Sequence, residues 1–129
     1  MPKNADPSAP TDTTGPLVII QRSPLQGYRA QAGIDAALSF AVLGRIPYLL
    51  FTGEGVLCLI EQTSKSLGRK SIRKLVDSLP LYDVETVYVD ELSLRHWQLE
   101  ATRLPKFSTI ITAEETKLLH SSATSILSY

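Results

Sequence analysis

Five short segments of the chain consist mainly of apolar and β-branched residues, the composition that strands favour. They span residues 17–21, 46–51, 84–89, 107–111 and 125–129. The first two are almost continuously apolar, which is typical of strands covered on both faces of a parallel sheet. The pattern therefore predicts five strands, the first two of them fully buried.

Between these segments, apolar residues recur at the three- and four-residue spacing of amphipathic helices. Residues 28–43 form the clearest predicted helix, and Gly44 closes it as a C-terminal cap would. Residues 70–79 form a second helix, which Pro80 ends. The apolar faces consist of Ala30, Ile34, Ala37, Leu38, Ala41 and Val42 in the first helix, and Ile72, Leu75, Val76 and Leu79 in the second.

A third amphipathic segment begins with a capping box formed by Thr112 and Glu115, and we predict that it runs to about His120. Residues 56–61 and the stretch after Asp90 are predicted to be short helices. Strands thus alternate with helices along the folded part of the chain, which indicates an α/β domain. We predict a three-layer sandwich with a mostly parallel five-stranded sheet and right-handed crossovers.

The length, composition and charge of the chain suit one soluble domain. A chain of 129 residues can bury a single sizeable core. Residues 1–16 are rich in Pro, Asp, Thr and Ala, so we predict a disordered tail there and a folded domain over residues 17–129. The 13 basic and 13 acidic residues cancel, so no overall field indicates a nucleic-acid partner.

The expected compartment is the cytoplasm. A single cysteine excludes an internal disulfide framework and suits a reducing environment. No apolar run approaches the roughly 20 residues that span a bilayer, and the N-terminus has no apolar signal region. We therefore expect no membrane contact.

The segment TGEG at residues 52–55, the TGEG turn, follows the second strand directly. A glycine-rich turn between a strand and a helix can hold an anion. The full G-x-G-x-x-G pattern is absent, because Cys58 stands at the third glycine position. A tight structural turn is the favoured interpretation, with phosphate binding as the alternative.

The sequence offers few reactive side chains. Cys58, the only thiol, lies inside the apolar stretch VLCLI, which favours a buried structural cysteine over a sulfur-carrying or redox thiol. His96 and His120 are far apart and have no partners at metal-ligand spacing, so we expect surface histidines and no metal site. No Ser-His-Asp set is recognisable, and no cofactor is expected.

Asp90 and Glu91 are neighbouring carboxylates at the end of the third strand. Acid–base catalysis would need carboxylates that converge on one substrate, whereas consecutive residues of a strand point apart. We therefore predict that Asp90 is a helix N-cap.

A local basic cluster follows the TGEG turn. On a helix such a cluster is usually a solvated face, and the alternative is a docking patch for an acidic protein or an RNA backbone. Its members are Lys65, Arg69, Lys70, Arg73 and Lys74.

The candidate residues together give no self-sufficient active site, which favours an interaction or scaffolding role over an enzyme. The alternative is a stand-alone small-ligand or nucleotide-binding protein that uses the TGEG turn.

Three stretches resemble the DsrE/DsrF-like family, in particular its TusC/DsrF branch. One is a helix of the form R-x-x-x-G-x-D-A-x-L, here Arg29 to Leu38; another is the strand and turn FTGEGVLCLI. The third, LYDVETVYVDELSLR, resembles that branch's L-Y-D-[IV]-E, strand and S-L-R. The resemblance covers about residues 17–129, including the final SILSY.

This resemblance implies a small α/β subunit of a cytoplasmic heterohexamer. Its partners would be subunits similar to TusB (DsrH) and TusD (DsrE), with a TusE/DsrC-like protein as the sulfur acceptor. The complex would pass persulfide sulfur, for tRNA 2-thiouridine formation in the Tus relay or for sulfur oxidation in the Dsr version. No direct nucleic-acid contact is expected.

The chain departs from the family at Asp90. In subunits that carry sulfur, a cysteine lies at the end of this strand, and a carboxylate cannot form a persulfide. We therefore expect a non-catalytic, accessory subunit. Tyr82, Tyr88 and Trp97 are the candidate interface residues, because aromatic residues are enriched in interface cores.

Overall fold

The computed structural model of the chain describes residues 15–60 and 72–129. Within them, five strands form one parallel sheet in the order β4-β3-β2-β1-β5. The strands are β1 (Pro16–Ile20), β2 (Tyr48–Phe51), β3 (Val87–Asp90), β4 (Ser108–Ile111) and β5 (Ser125–Ser128). All five carboxyl ends therefore lie along one edge of the sheet, the carboxyl edge. The predicted α/β class and parallel sheet are confirmed.

Four α-helices accompany the strands in the described residues: α1 (Arg29–Val42), α2 (Ile72–Asp77), α3 (Glu91–His96) and α4 (Ala113–Ser122). Three 3₁₀ segments span Gly53–Leu59, Leu79–Tyr82 and Ala101–Arg103. No helix among these residues is long and apolar enough to cross a bilayer.

Local sequence signals end α1 and begin α4 as predicted. Gly44 adopts φ +83°, and its amide and that of Arg45 donate to the carbonyls of Ala41 and Phe40, both at 2.9 Å. This is the Schellman arrangement, which needs a left-handed residue after the helix. At the start of α4, Thr112 Oγ1 accepts from the amide of Glu115 while the Glu115 carboxylate accepts from the amide of Thr112.

The core lies on both faces of the sheet, because successive strand residues point to opposite sides. Val18 and Ile20 of β1 pack on the face covered by α1, α2 and the 53–59 segment. Leu17 and Ile19 pack on the other face together with Leu119 of α4. Burial on both faces is why the strand reads as a continuous apolar run.

Several predicted boundaries shift. β1 begins at Pro16, the last residue of the predicted tail, and β3 begins at Val87 rather than Val84. Val42, predicted on the buried face of α1, is 69% exposed. Pro80 lies inside a 3₁₀ segment, and α2 already ends at Asp77. Residues 1–14 of the predicted tail, and Lys65, Arg69 and Lys70, lie outside the described residues.

Candidate functional site

The TGEG turn and Asp90 meet at the carboxyl edge. β2 and β3 are neighbours, and Phe51 stands opposite Val89 in their register. The residues that follow each strand therefore emerge side by side. In open α/β sheets, ligand and partner sites form at this edge, so the two motifs lie where a functional site is expected.

Asp90 caps α3, as predicted. Its Oδ2 accepts a hydrogen bond from the amide of Ser93 at 3.2 Å and a shorter one from Ser93 Oγ at 2.6 Å. Glu91 lies in the first turn of the helix and Arg95 in the last, which suits the helix dipole. The carboxylate of Asp90 is therefore engaged within the chain.

Ser93 links this cap to the TGEG turn. Its Oγ accepts a hydrogen bond from the amide of Gly53 at 2.8 Å while it donates to Asp90. The result is a hydrogen-bonded relay from Gly53 through Ser93 to Asp90. No sequence pattern singles out Ser93. Its position three residues after Asp90 signals a cap, but nothing local signals the bond to a residue 40 positions away.

The TGEG turn has little capacity to hold an anion. The amide of Gly53 is bound to Ser93, and the amide of Gly55 donates to the carbonyl of Thr52 at 2.8 Å. Glu54 adds a negative charge to the first turn of the 3₁₀ segment. Gly53 has φ +55°, and a Cβ at Gly55 would overlap the carbonyl of Ile20. Both glycines are therefore explained by backbone geometry.

Cys58 is a buried structural thiol, as predicted. Its side chain has no exposed surface, and its Sγ lies 3.6 Å from the carbonyl oxygen of Arg22, to which it donates. Burial raises the pKa of the Cys58 thiol from 9.0 to about 12. Because the thiolate is the reactive form, Cys58 is unreactive near neutral pH.

The raised pKa of Cys58 predicts a loss of stability at alkaline pH. Above pH 9 the unfolded chain loses this proton while the folded chain keeps it, up to a pH of about 12. At pH 10.5 the contribution lost should reach about 2 kcal/mol, at 1.4 kcal/mol per pH unit. Urea unfolding at pH 8 and 10.5 measures this. Cys58→Ser is the control, and an equal pH dependence in both proteins would contradict the burial argument.

The two histidines lie on the surface. His96 contacts the Trp97 ring edge-on, with 5.2 Å between ring centroids, and Nδ1 of His120 lies 2.9 Å from the carbonyl oxygen of Thr116. Within residues 15–60 and 72–129, no three metal-ligating side chains come together.

For Arg73, the prediction of a solvated basic face is wrong. Its guanidinium donates to the carbonyls of Leu59 at 2.7 Å and Arg103 at 3.1 Å, and to the carboxylate of Asp77 at 3.0 Å. It therefore holds three segments together rather than facing solvent. Lys74, the other described member of the cluster, is exposed.

The three candidate interface residues are placed differently. Tyr82 and Trp97 are partly exposed, whereas Tyr88 is only 7% exposed and stacks on Tyr48 with 6.2 Å between ring centroids. Tyr88 is therefore a core residue of the α4 face, and the expectation of an exposed side chain is wrong. In β3 it points away from Val87 and Val89.

Tyr82 belongs to a larger apolar patch at the opposite edge of the sheet. There α1 contacts the 79–82 segment, and the chain enters the neighbouring strands β2 and β3. Five large apolar side chains in the segments that lead into these two strands are exposed, and we call them the α1 corner patch: Val42, Leu43, Ile46, Leu81 and Tyr82. Clustered exposed apolar side chains of this kind mark interaction surfaces.

Comparisons with known proteins agree with this architecture. The model of the DsrE/DsrF-like family matches residues 16–127. The Protein TusC homolog of Pseudomonas aeruginosa is 30% identical over 89 residues, which is 68% of this chain and 75% of that protein. The crystal structure of the ychN protein from E. coli covers 91% of this chain and 100% of its own, with a TM-score of 0.77. At 12% identity, that likeness shows the fold alone.

Proposed function

The chain belongs to the DsrE/DsrF-like family, and on this premise we propose that it is a non-catalytic subunit of a cytoplasmic sulfur-relay complex. One observation supports this most. Asp90 stands at the strand end where the family resemblance implies a cysteine in sulfur-carrying subunits, and its carboxylate caps α3. The chain's single cysteine is buried elsewhere.

The chemistry of persulfide transfer explains why this matters. An acceptor thiolate attacks the outer sulfur of a cysteine persulfide, a new S–S bond forms, and the donor cysteine leaves as a thiolate, with no net oxidation. The acceptor thiolate and the donor persulfide must both be accessible. With its only thiol buried and protonated, this chain supplies neither. Its role is therefore to complete the assembly and shape the surface around a partner's thiol.

The proposed partners are subunits similar to TusB (DsrH) and TusD (DsrE), with a TusE/DsrC-like acceptor. The α1 corner patch supports a role in assembly, because permanent interfaces resemble a core cut in half. Tyr82 lies in this patch and Trp97 at the end of α3. The proposed end use of the sulfur is the 2-thiolation of uridine in tRNA.

The alternative of a stand-alone nucleotide-binding protein has weaker support. It relied on the TGEG turn, whose two glycine amides are occupied within the chain. Glu54 in that turn would also repel a phosphate.

Replacing Cys58 by serine should leave sulfur transfer intact in the reconstituted complex, because the thiol is not part of the relay. The rate of transfer from the persulfidated partner, measured by loss of radioactive sulfane sulfur, should stay within about twofold of the wild type, since the reacting thiols are unchanged. Loss of transfer in a fully assembled complex would instead make Cys58 a relay thiol and overturn the accessory role.

A further inference from the structure

The relay from Gly53 through Ser93 to Asp90 connects two strand ends where the sheet ladder has stopped. The register between β2 and β3 ends with Phe51 opposite Val89. Beyond that pair, the bond from the Gly53 amide to Ser93 Oγ joins the TGEG turn to α3. Backbone hydrogen bonds join β2 and β3 within the sheet, and this side-chain bond joins the segments that follow the two strands.

The Ser93 hydroxyl uses both of its hydrogen-bonding functions. Its side chain is buried, with the residue 8% exposed, and it donates to Asp90 Oδ2 at 2.6 Å while accepting from Gly53 at 2.8 Å. The carboxylate is the strong acceptor that orients the hydroxyl hydrogen, which leaves a lone pair of Oγ for the Gly53 amide. A thiol at position 90 would accept this bond only weakly.

We propose that Asp90 is a positioning residue, which holds the TGEG turn against the first turn of α3 through Ser93. It thereby sets the shape of the carboxyl edge that this subunit presents to the sulfur-carrying partner. The effect on the partner rests on the proposed function, whereas the placement of the turn follows from the hydrogen bonds of Gly53, Ser93 and Asp90 alone.

Three variants separate positioning from direct contact. Ser93→Ala removes the hydroxyl and keeps the Asp90 carboxylate. Asp90→Asn keeps an oxygen acceptor for Ser93 and removes the negative charge. Ser93→Thr restores a hydroxyl at the same site. Ser39→Ala is the matched control, because the Ser39 hydroxyl also bonds within a helix, to the carbonyl of Asp35 at 2.9 Å, but on the exposed surface of α1.

Amide hydrogen exchange of Gly53 in the full chain tests the relay directly. Ser93→Ala should accelerate exchange at Gly53 by about tenfold, because its amide loses its acceptor. Ser93→Thr should restore the protection of the Gly53 amide. Asp90→Asn should accelerate exchange at Gly53 less than Ser93→Ala does. Amides in the middle of α1 should not change in any variant. Unchanged exchange at Gly53 in Ser93→Ala, or equal acceleration at every amide, would overturn the proposal.

The second measurement uses the assembled complex with wild-type partner subunits. Ser93→Ala should slow sulfur transfer by about tenfold while the complex stays intact, and Asp90→Asn should slow it by less, in line with its smaller effect on Gly53 exchange. Slower transfer in Asp90→Asn with Gly53 still protected would show direct contact by the carboxylate and overturn positioning. If the wild-type complex transfers no sulfur, the proposed function fails. The exchange result still decides whether the hydrogen bonds of Ser93 to Gly53 and Asp90 position the TGEG turn.

Discussion

Replacing Gly55 by alanine should lower the free energy of unfolding by about 3 kcal/mol or more. An added Cβ would overlap the carbonyl carbon and oxygen of Ile20 and come within 3.2 Å of the Gln21 nitrogen. These are backbone atoms of β1, which lies between β2 and β5. The Ile20 carbonyl also accepts from the amide of Thr52 at 3.0 Å. β1 cannot move aside without breaking its hydrogen bonds to the neighbouring strands. The loss of stability should therefore lie at the upper end of the range for substitutions that overpack a core.

Gly44→Ala is the matched control for this prediction. Gly44 also has a positive φ, +83°, but a Cβ there would meet nothing within 4 Å. Its replacement should cost only the left-handed backbone penalty of about 1 kcal/mol. Urea unfolding followed by circular dichroism measures both variants. A Gly55→Ala protein no less stable than Gly44→Ala would contradict the close packing of the TGEG turn on β1.

Replacing Leu81 by glutamate should weaken binding to the partner subunits by about 100-fold or more. Leu81 is 84% exposed and lies in the α1 corner patch. If partners cover this patch, the variant buries an unpaired carboxylate, which costs about 3 kcal/mol or more. Each 1.4 kcal/mol is a factor of ten in the dissociation constant. The isolated chain should keep its stability within about 0.5 kcal/mol, because the side chain is on the surface.

Leu118→Glu separates this effect from a general effect of added charge. Leu118 is 57% exposed on α4, which packs on the opposite face of the sheet from α1. We expect this control to assemble normally. Titration of each labelled variant with the partner subunits gives the dissociation constants. Equal binding by Leu81→Glu and the wild type would remove the α1 corner patch from the interface.

The sequence predicts those features whose signals are local. The Thr112 and Glu115 capping box, the Asp90 cap and the Gly44 helix end each depend on contacts within five residues. The alternation of strands and helices predicts the α/β class, since each element type has its own apolar period. These signals were sufficient for the five strands and most of the helices, but not for the order of the strands in the sheet.

Features that depend on distant contacts were not predictable. The acceptor of the Gly53 amide is 40 residues away, and Arg73 binds the carbonyls of Leu59 and Arg103, 14 and 30 residues away. Arg73 therefore reads as a surface charge in the sequence although it holds three segments together.

Two misplaced expectations have equally physical reasons. Tyr88 alternates with apolar neighbours in β3, but only the packing of α4 determines that its face of the sheet is covered. Val84 has strand composition, yet it follows Asp83, whose φ is +69°, and its amide donates to the carbonyl of Leu79. Val84 therefore closes the end of the 79–82 segment and precedes the strand.

The most direct test of the accessory role is to purify this chain with its partners from its native host cells and to measure the mass of the complex by native mass spectrometry. We expect two further DsrE-like subunits in equal amounts, with a persulfide on a cysteine of one partner and Cys58 of this chain unmodified. A monomer or homodimer with a bound small molecule, or a persulfide on Cys58, would contradict the account.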